Sequence, residues 1–147
     1  MIDQKIFDRN CDFIGAKGLV FIGDKILVYR RDTNTNLFPL HIDLPGGGKE
    51  DGESPFDTFK REVKEEFGLE INSTDIEYAK SYMSTVDLTK ETFFIVARPA
   101  GVKQNDIVFG DEGVEFMLTT LDEYMKLSDA IKRHQDRVAD YLNTNKK

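Results

Sequence analysis

Between Gly46 and Leu69 the chain reads GGGKEDGESPFDTFKREVKEEFGL, and four of its glutamates stand at spacings that allow them to act together. On a helix begun at Ser54, the residues Glu62, Glu65 and Glu66 fall at i, i+3 and i+4, so three carboxylates share one face. Like charges so spaced repel one another. A divalent cation with oxygen ligands is the simplest group to sit among them. Gly46, Gly47 and Gly48, just upstream, let the backbone turn sharply and approach a ligand closely. Loop, helix start and acidic face together predict a site for metal-bound phosphate.

The helix that must carry these acids sets its own limits. Ser54 is a good N-cap, Pro55 suits the first helical position, and Asp57 forms a weaker version of the capping box. Gly68 is a natural stop. Phe56, Phe59, Val63 and Phe67 recur at three and four residues and form an apolar stripe on a neighbouring face. One side therefore packs on a core while another presents acid.

The spacing is more specific still: Gly47, five residues, Glu53, seven residues, Arg61-Glu62-Val63, one residue, Glu65-Glu66, one residue, Gly68-Leu69. This resembles the signature of the Nudix hydrolases, G-x5-E-x7-R-E-U-x-E-E-x-G-U with U aliphatic, and every fixed position matches. At ordinary residue usage a chance match in a chain this long is on the order of one in a million or rarer. The usual reading of such a charge run is a solvated acidic helix, and the match outweighs it. The resemblance implies an α/β fold, an α/β/α sandwich around a mixed β-sheet, with residues 1–147 forming a single domain of this family.

It also implies roles. Glu62, Glu65 and Glu66 belong to the metal cluster, directly or through water, and the carbonyl of Gly46 joins them as a ligand. Mg2+ is the expected ion, with Mn2+ as a substitute. Arg61 orients the carboxylates by ion pairing, with Glu53 its expected partner, and does not touch the substrate. Glu62, paired with that arginine, is the first choice of general base. A further acid before the terminal helix, Glu112 in GDEGVEF, is a candidate contributor to the metal cluster or base, with Glu115 competing and a polar turn in solvent as the plain alternative.

Composition frames these readings. The chain has 147 residues, 39% of them hydrophobic and 11% aromatic, which suits one globular domain with a proper core. A net charge of −7 argues against a duplex nucleic-acid groove or an anionic membrane surface. An acidic protein acting on an anionic substrate needs local cations, which a metal and a few placed Lys or Arg residues supply. Cys11 is the only cysteine, so no intrachain disulfide forms. The N-terminus lacks the apolar core of a signal peptide and no apolar run approaches membrane-spanning length, so a cytoplasmic protein is expected. A homodimer stays open, since no feature locates an interface.

The surrounding elements follow from pattern. Residues 16–30 read as a hairpin turning at Gly23-Asp24, with near-continuously apolar strands covered on both faces. Arg30 and Arg31 close its second strand, either as a solvated end or as a grip on substrate phosphate. Residues 40–44 form a short strand feeding the glycine loop, residues 76–86 a mixed strand, residues 91–98 the clearest buried strand, and residues 103–109 a weaker one. Phe93 and Phe94 read as core. Thr120 and Glu123 make a capping box for a helix over 121–127, and Ser128 is set to cap a last helix carrying Ile131, His134 and Val138. His41 reads as a structural or surface residue, and His134, on the apolar stripe of the last helix, as a packed one.

The family acts on a nucleoside diphosphate linked to another moiety, which the signature does not name. Elimination leaves a (deoxy)nucleoside triphosphate, cut to the monophosphate and pyrophosphate, as the expected substrate. A nucleotide sugar or dinucleoside polyphosphate is the alternative within the same chemistry. A non-catalytic nucleotide-binding sensor is the alternative outside it, and the intact set of acids weighs against that.

Overall fold

Near-continuous apolar strands need cover on both faces, and the fold supplies it. The computed structural model describes residues 1–85, 87–111 and 113–144. The long strand β1 (Phe13–Ile22) turns at Gly23-Asp24, with Gly23 at φ 65°, into β2 (Lys25–Arg31). Besides β2, β1 pairs antiparallel with β4 (Gly46–Gly48) and parallel with β6 (Glu91–Ala97). β6 in turn pairs antiparallel with β5 (Ile76–Met83), while β2 carries both β3 (Ile42–Asp43) and β7 (Gly113–Thr119). The result is a mixed seven-stranded sheet ordered β3-β2-β1-β6-β5, with β4 against β1 and β7 against β2.

Each face of this sheet has its own core. Phe56, Phe59, Val63 and Phe67 of α1 (Pro55–Phe67) pack on Ala16, Leu27 and Phe93. On the other face Tyr124 of α2 (Leu121–Met125) joins Val138 and Tyr141 of α3 (Lys132–Thr144) over Leu19, Phe94 and Val96. Phe93 and Phe94 thus serve one core each, as neighbours on a strand must. Helices on both faces of a mixed sheet make the expected α/β/α sandwich. Among the described residues, no helix is long and apolar enough to cross a membrane.

Helix α1 has the limits read from its sequence. Ser54 accepts from the Asp57 N–H at 3.1 Å, Asp57 accepts from the Ser54 N–H at 3.1 Å, and Gly68 closes the helix at φ 69°. Elsewhere the expectations need correction. The glycine run is not a loop but the short strand β4, held by β1. Residues 103–109 form no strand, because they serve the end of α1: the Val108 and Gly110 N–H groups donate to the Phe67 and Glu66 carbonyls at 2.9 and 2.8 Å. Those carbonyls have no partner within the helix. The strand instead starts at Gly113. Helix α3 begins at Lys132, since residues before it lie along β3: Ile42 donates to the Asp129 carbonyl at 2.8 Å and accepts from the Ile131 N–H at 3.1 Å.

Candidate active site

The acidic face is built against bare backbone. Glu66 is 2% exposed and accepts the Gly46 N–H at 3.0 Å; Glu62 is 9% exposed. A Cβ on Gly47 would stand 2.6 Å from the Glu62 carboxyl carbon, and one on Gly46 would stand 2.1 Å from the Ala16 carbonyl oxygen. Glycine at positions 46 and 47 lets β4 lie between β1 and these acids. Gly46 also sits at φ 126°, a conformation that L side chains rarely adopt.

Arg61 binds the acidic set together. Its Nε donates to Glu53 at 2.7 Å, and its Nη2 donates to Glu53 at 3.1 Å and to the Gly48 carbonyl at 2.8 Å. Its Nη1 donates to Glu62 at 2.8 Å and to the half-exposed Glu65 at 3.2 Å. The bond to Glu53 and the further bond to Glu62 outweigh desolvation and raise the guanidinium pKa still further. Burial pushes Glu53 up, yet its hydrogen bonds from Arg61, the Glu50 N–H and Thr58 leave it below the usual carboxylate range. Glu53 is therefore the principal partner of Arg61, as the sequence suggested.

Beside β4 opens a cleft of about 280 Å³, with Gly47 and Gly48 on one wall. Its cations are Lys17, Arg31, Arg133 and Arg137. Asp43, fully buried, organises two of them: Oδ2 accepts from Lys17 Nζ at 2.9 Å, Arg31 Nη1 at 2.8 Å and the Tyr29 hydroxyl at 3.2 Å. Burial alone would raise the Asp43 pKa; the Lys17 charge and the nearby His134 hold it well below the carboxylate range. Burial dominates for His134 and lowers its pKa, despite Asp43, so the ring is neutral near pH 7. Its Nε2 stands 3.3 Å from Asp43 Oδ1 but outside hydrogen-bond geometry.

The cleft's rim is strained. Phe38 and Leu40 hold φ of 50° and 61°, each a left-handed conformation costing about 1–3 kcal/mol outside glycine. Arg31 Nε donates to the Leu37 carbonyl at 3.0 Å, and Arg30 Nη1 to the Leu40 carbonyl at 2.8 Å. Two arginines thus clamp the segment that carries Phe38.

The residues expected to bear function separate accordingly. Glu62, Glu65, Glu66, Arg61, Glu53 and Gly46 come together around β4 and α1. Glu112 lies outside the described residues. Arg31 lines the cleft, whereas Arg30 does not: neighbouring positions on a strand face opposite ways, and Arg30 pairs with Asp129 at 3.0 Å. Sequence reasoning missed Lys17, Asp43, Phe38, Arg133 and Arg137, and placed His134 only as a packed residue. One signal was present for Asp43: a charged residue between apolar neighbours in a strand needs cations.

Among the described residues, no three His, Cys, Asp or Glu side chains are already gathered as a metal cluster. The donor set nevertheless fits Mg2+ or Mn2+. Glu62 and Glu66 supply acceptor-only oxygens in a cradle that a Cβ would fill, and Mg2+ is held by one or two carboxylates plus substrate phosphates and water.

The chain matches the family model described as the NUDIX domain over residues 14–141. Its structure is similar to that of a MutT protein from Methanosarcina mazei Go1, at 25% identity and a TM-score of 0.73, over 94% of this chain and 99% of that one. A bifunctional NMN adenylyltransferase/ADP ribose pyrophosphatase from Francisella tularensis, complexed with AMP and a Mn ion, aligns at 18% identity and a TM-score of 0.70, over 90% of this chain and 42% of that one. A NUDIX hydrolase from Nitrosomonas europaea aligns at 17% identity and a TM-score of 0.71, over 91% and 72% of the two chains. No curated protein matches the chain.

Proposed function

Because the chain belongs to the Nudix hydrolase family and is a pyrophosphohydrolase, we propose that it cuts a (deoxy)nucleoside triphosphate to the monophosphate and pyrophosphate, with Mg2+ or Mn2+. One observation carries this reading. Two buried carboxylates, Glu62 and Glu66, are fixed against side-chain-free backbone whose residues also wall a cleft with four cations. A substrate with several linked phosphates fits that division, with a metal on the acids meeting one phosphate and the cations meeting others. The AMP and Mn ion complexed with the Francisella tularensis protein fit a metal-dependent nucleotide substrate of either class, triphosphate or nucleotide sugar.

When bound, the divalent ion offsets phosphate charge and orients the linkage. The chain's own residues do the rest. Glu62, Glu65 and Glu66 hold the ion, with Gly46 as a backbone ligand. Arg61 keeps Glu62 and Glu65 in place without consuming their remaining lone pairs. Glu62 takes the proton from the attacking water as general base, and Lys17 and Arg31, pre-set by Asp43, meet substrate oxygens.

A panel of nucleoside triphosphates, nucleotide sugars and dinucleoside polyphosphates, assayed with each metal for phosphate or pyrophosphate release, tests the assignment. Metal-dependent pyrophosphate release from a triphosphate is the expected result. Faster turnover of a nucleotide sugar transfers the activity to that class. Micromolar nucleotide binding with no turnover makes the protein a sensor and overturns the proposal.

A further inference from the structure

Helix α3 opens with charges of the wrong sign for its dipole. Its first turn holds Lys132 and Arg133 and no acidic residue, although cations are unfavourable at a helix N-terminus. Lys132 pairs with Asp136. Arg133 and Arg137 differ from it. They stand one turn apart on the side of α3 that walls the cleft. Among the described residues, neither donates a hydrogen bond or reaches a carboxylate.

Arg137 is only 9% exposed, yet its nitrogens keep access to solvent, so the open donor edge of an otherwise packed guanidinium is available at the cleft it lines. Its flat face is already used, 5.0 Å above the Tyr82 ring, and Arg133 lies 5.2 Å above Phe38. Stacking leaves the donor edges of both groups open. Burial, and after it the Arg133 charge, push the Arg137 pKa down, so Arg133 repels the charged form of Arg137. A neutral base edge would fill donors without relieving that repulsion. An anion does both.

We propose that Arg133 and Arg137 form an anion subsite for a phosphate of the substrate outside the linkage that is cut. This rests on the hydrolase reading and sharpens it. Substrates with an extra phosphate, either at the end of the chain or on a sugar ring, are preferred over nucleotide sugars with an uncharged sugar.

Binding is tested first, with no turnover required. In chelator, the arginine Nε–Hε NMR signals of the whole protein are followed during titration with inorganic phosphate and, separately, with guanosine. Phosphate is expected to shift the Arg133 and Arg137 signals, and Arg137→Gln to weaken the Arg133 response several-fold. Should Arg137→Gln not fold, Arg133→Gln, half-buried, carries the same comparison through the Arg137 signal. Shifts confined to Lys17 and Arg31 neighbours, an adventitious response unchanged by either variant, or shifts with guanosine alone would each overturn the subsite.

Turnover supplies the second arm. Relative to a nucleotide sugar with an uncharged sugar, kcat/KM is expected to rise about tenfold or more for a substrate with the extra phosphate, the scale of one charge-assisted hydrogen bond. A triphosphate and a ring-phosphorylated nucleotide sugar distinguish the two positions. The ratio should collapse in Arg137→Gln, and an unchanged ratio refutes the proposal. If nothing is cut while phosphate still shifts both signals, the hydrolase reading fails and the subsite stands.

Discussion

Replacing Arg61 by alanine should damage stability and activity together, and the size of the effect follows from its partners. The guanidinium makes five hydrogen bonds at 2.7–3.2 Å with its side chain 23% exposed. The bond to the half-exposed Glu65 contributes little, as pairs in solvent do. The bonds to Glu53 and Glu62, whose side chains are 15% and 12% exposed, decide the outcome. Removing one partner of a buried pair costs about 3–5 kcal/mol, and partial exposure of Arg61 reduces that to about 2–4 kcal/mol. For a domain of this size the fall in Tm is about 5–15 °C. Thermal melts of wild type, Arg61→Ala and Arg61→Lys in chelator, paired with initial rates in Mg2+, provide the assay. Lysine keeps the charge but not the fork that spans Glu53, Glu62 and Gly48, so it should melt between the other two and stay nearly as inactive as alanine. Wild-type melting with lost activity would show that Arg61 acts on the substrate and would refute the reasoning.

Glu66→Gln keeps an acceptor for the Gly46 N–H, so it should fold normally and lose at least about a hundredfold in kcat, since even 3 kcal/mol of lost charge stabilisation is roughly that factor; unchanged rates and metal dependence would remove Glu66 from the site. Gly46→Ala places a Cβ 2.1 Å from the Ala16 carbonyl at φ 126°, whereas a Cβ on Gly48 meets nothing within 4 Å. The first should melt well below wild type by differential scanning fluorimetry and the second within a few degrees; equal melts would mean that β4 does not need its glycines. His134 is neutral when folded, so the unfolded chain binds a proton that the folded one does not, and stability falls as pH drops below about 6.5 until the lower folded pKa is passed. Asp43, held down, loses its contribution only at much lower pH. The Tm advantage of wild type over His134→Gln should therefore shrink between pH 7.5 and 5.5, and parallel curves would contradict it.

What the sequence disclosed was local. The caps, stripe and acids of α1 sit within one stretch, and side chains three and four apart meet whatever the rest of the chain does. The hairpin was similarly legible through its two-residue turn. β4 was not, because a run of glycines has no side-chain alternation and becomes a strand only by pairing with β1. β7 has an irregular burial pattern at the sheet's edge, so no period announced it. Residues 103–109 were misread for a related reason: their apolar positions serve the end of α1 rather than a ladder. The cleft was least legible of all. Lys17, Asp43 and Arg137 come from three separate elements, and nothing in their spacing foretells that they meet.

The topology explains why the acidic face and the cleft cannot be separated. Ala16 and Lys17 pair with Gly47 and Gly46 in one short ladder. Ala16 enters the core beneath α1, while Lys17 points the opposite way to Asp43 and the cleft. A one-residue slip in that pairing would turn the residues of β4 to the opposite faces. The contact of Gly46 with the Ala16 backbone, which admits only glycine, also fixes this register. A protein with net charge −7 can therefore keep a cleft with four cations, two of them set by the buried Asp43, on one side of a strand and Glu62 and Glu66, the first held by Arg61, on the other. On the proposed reading, this local separation of charge at β4, rather than overall charge, is what would let an acidic enzyme receive an anionic substrate.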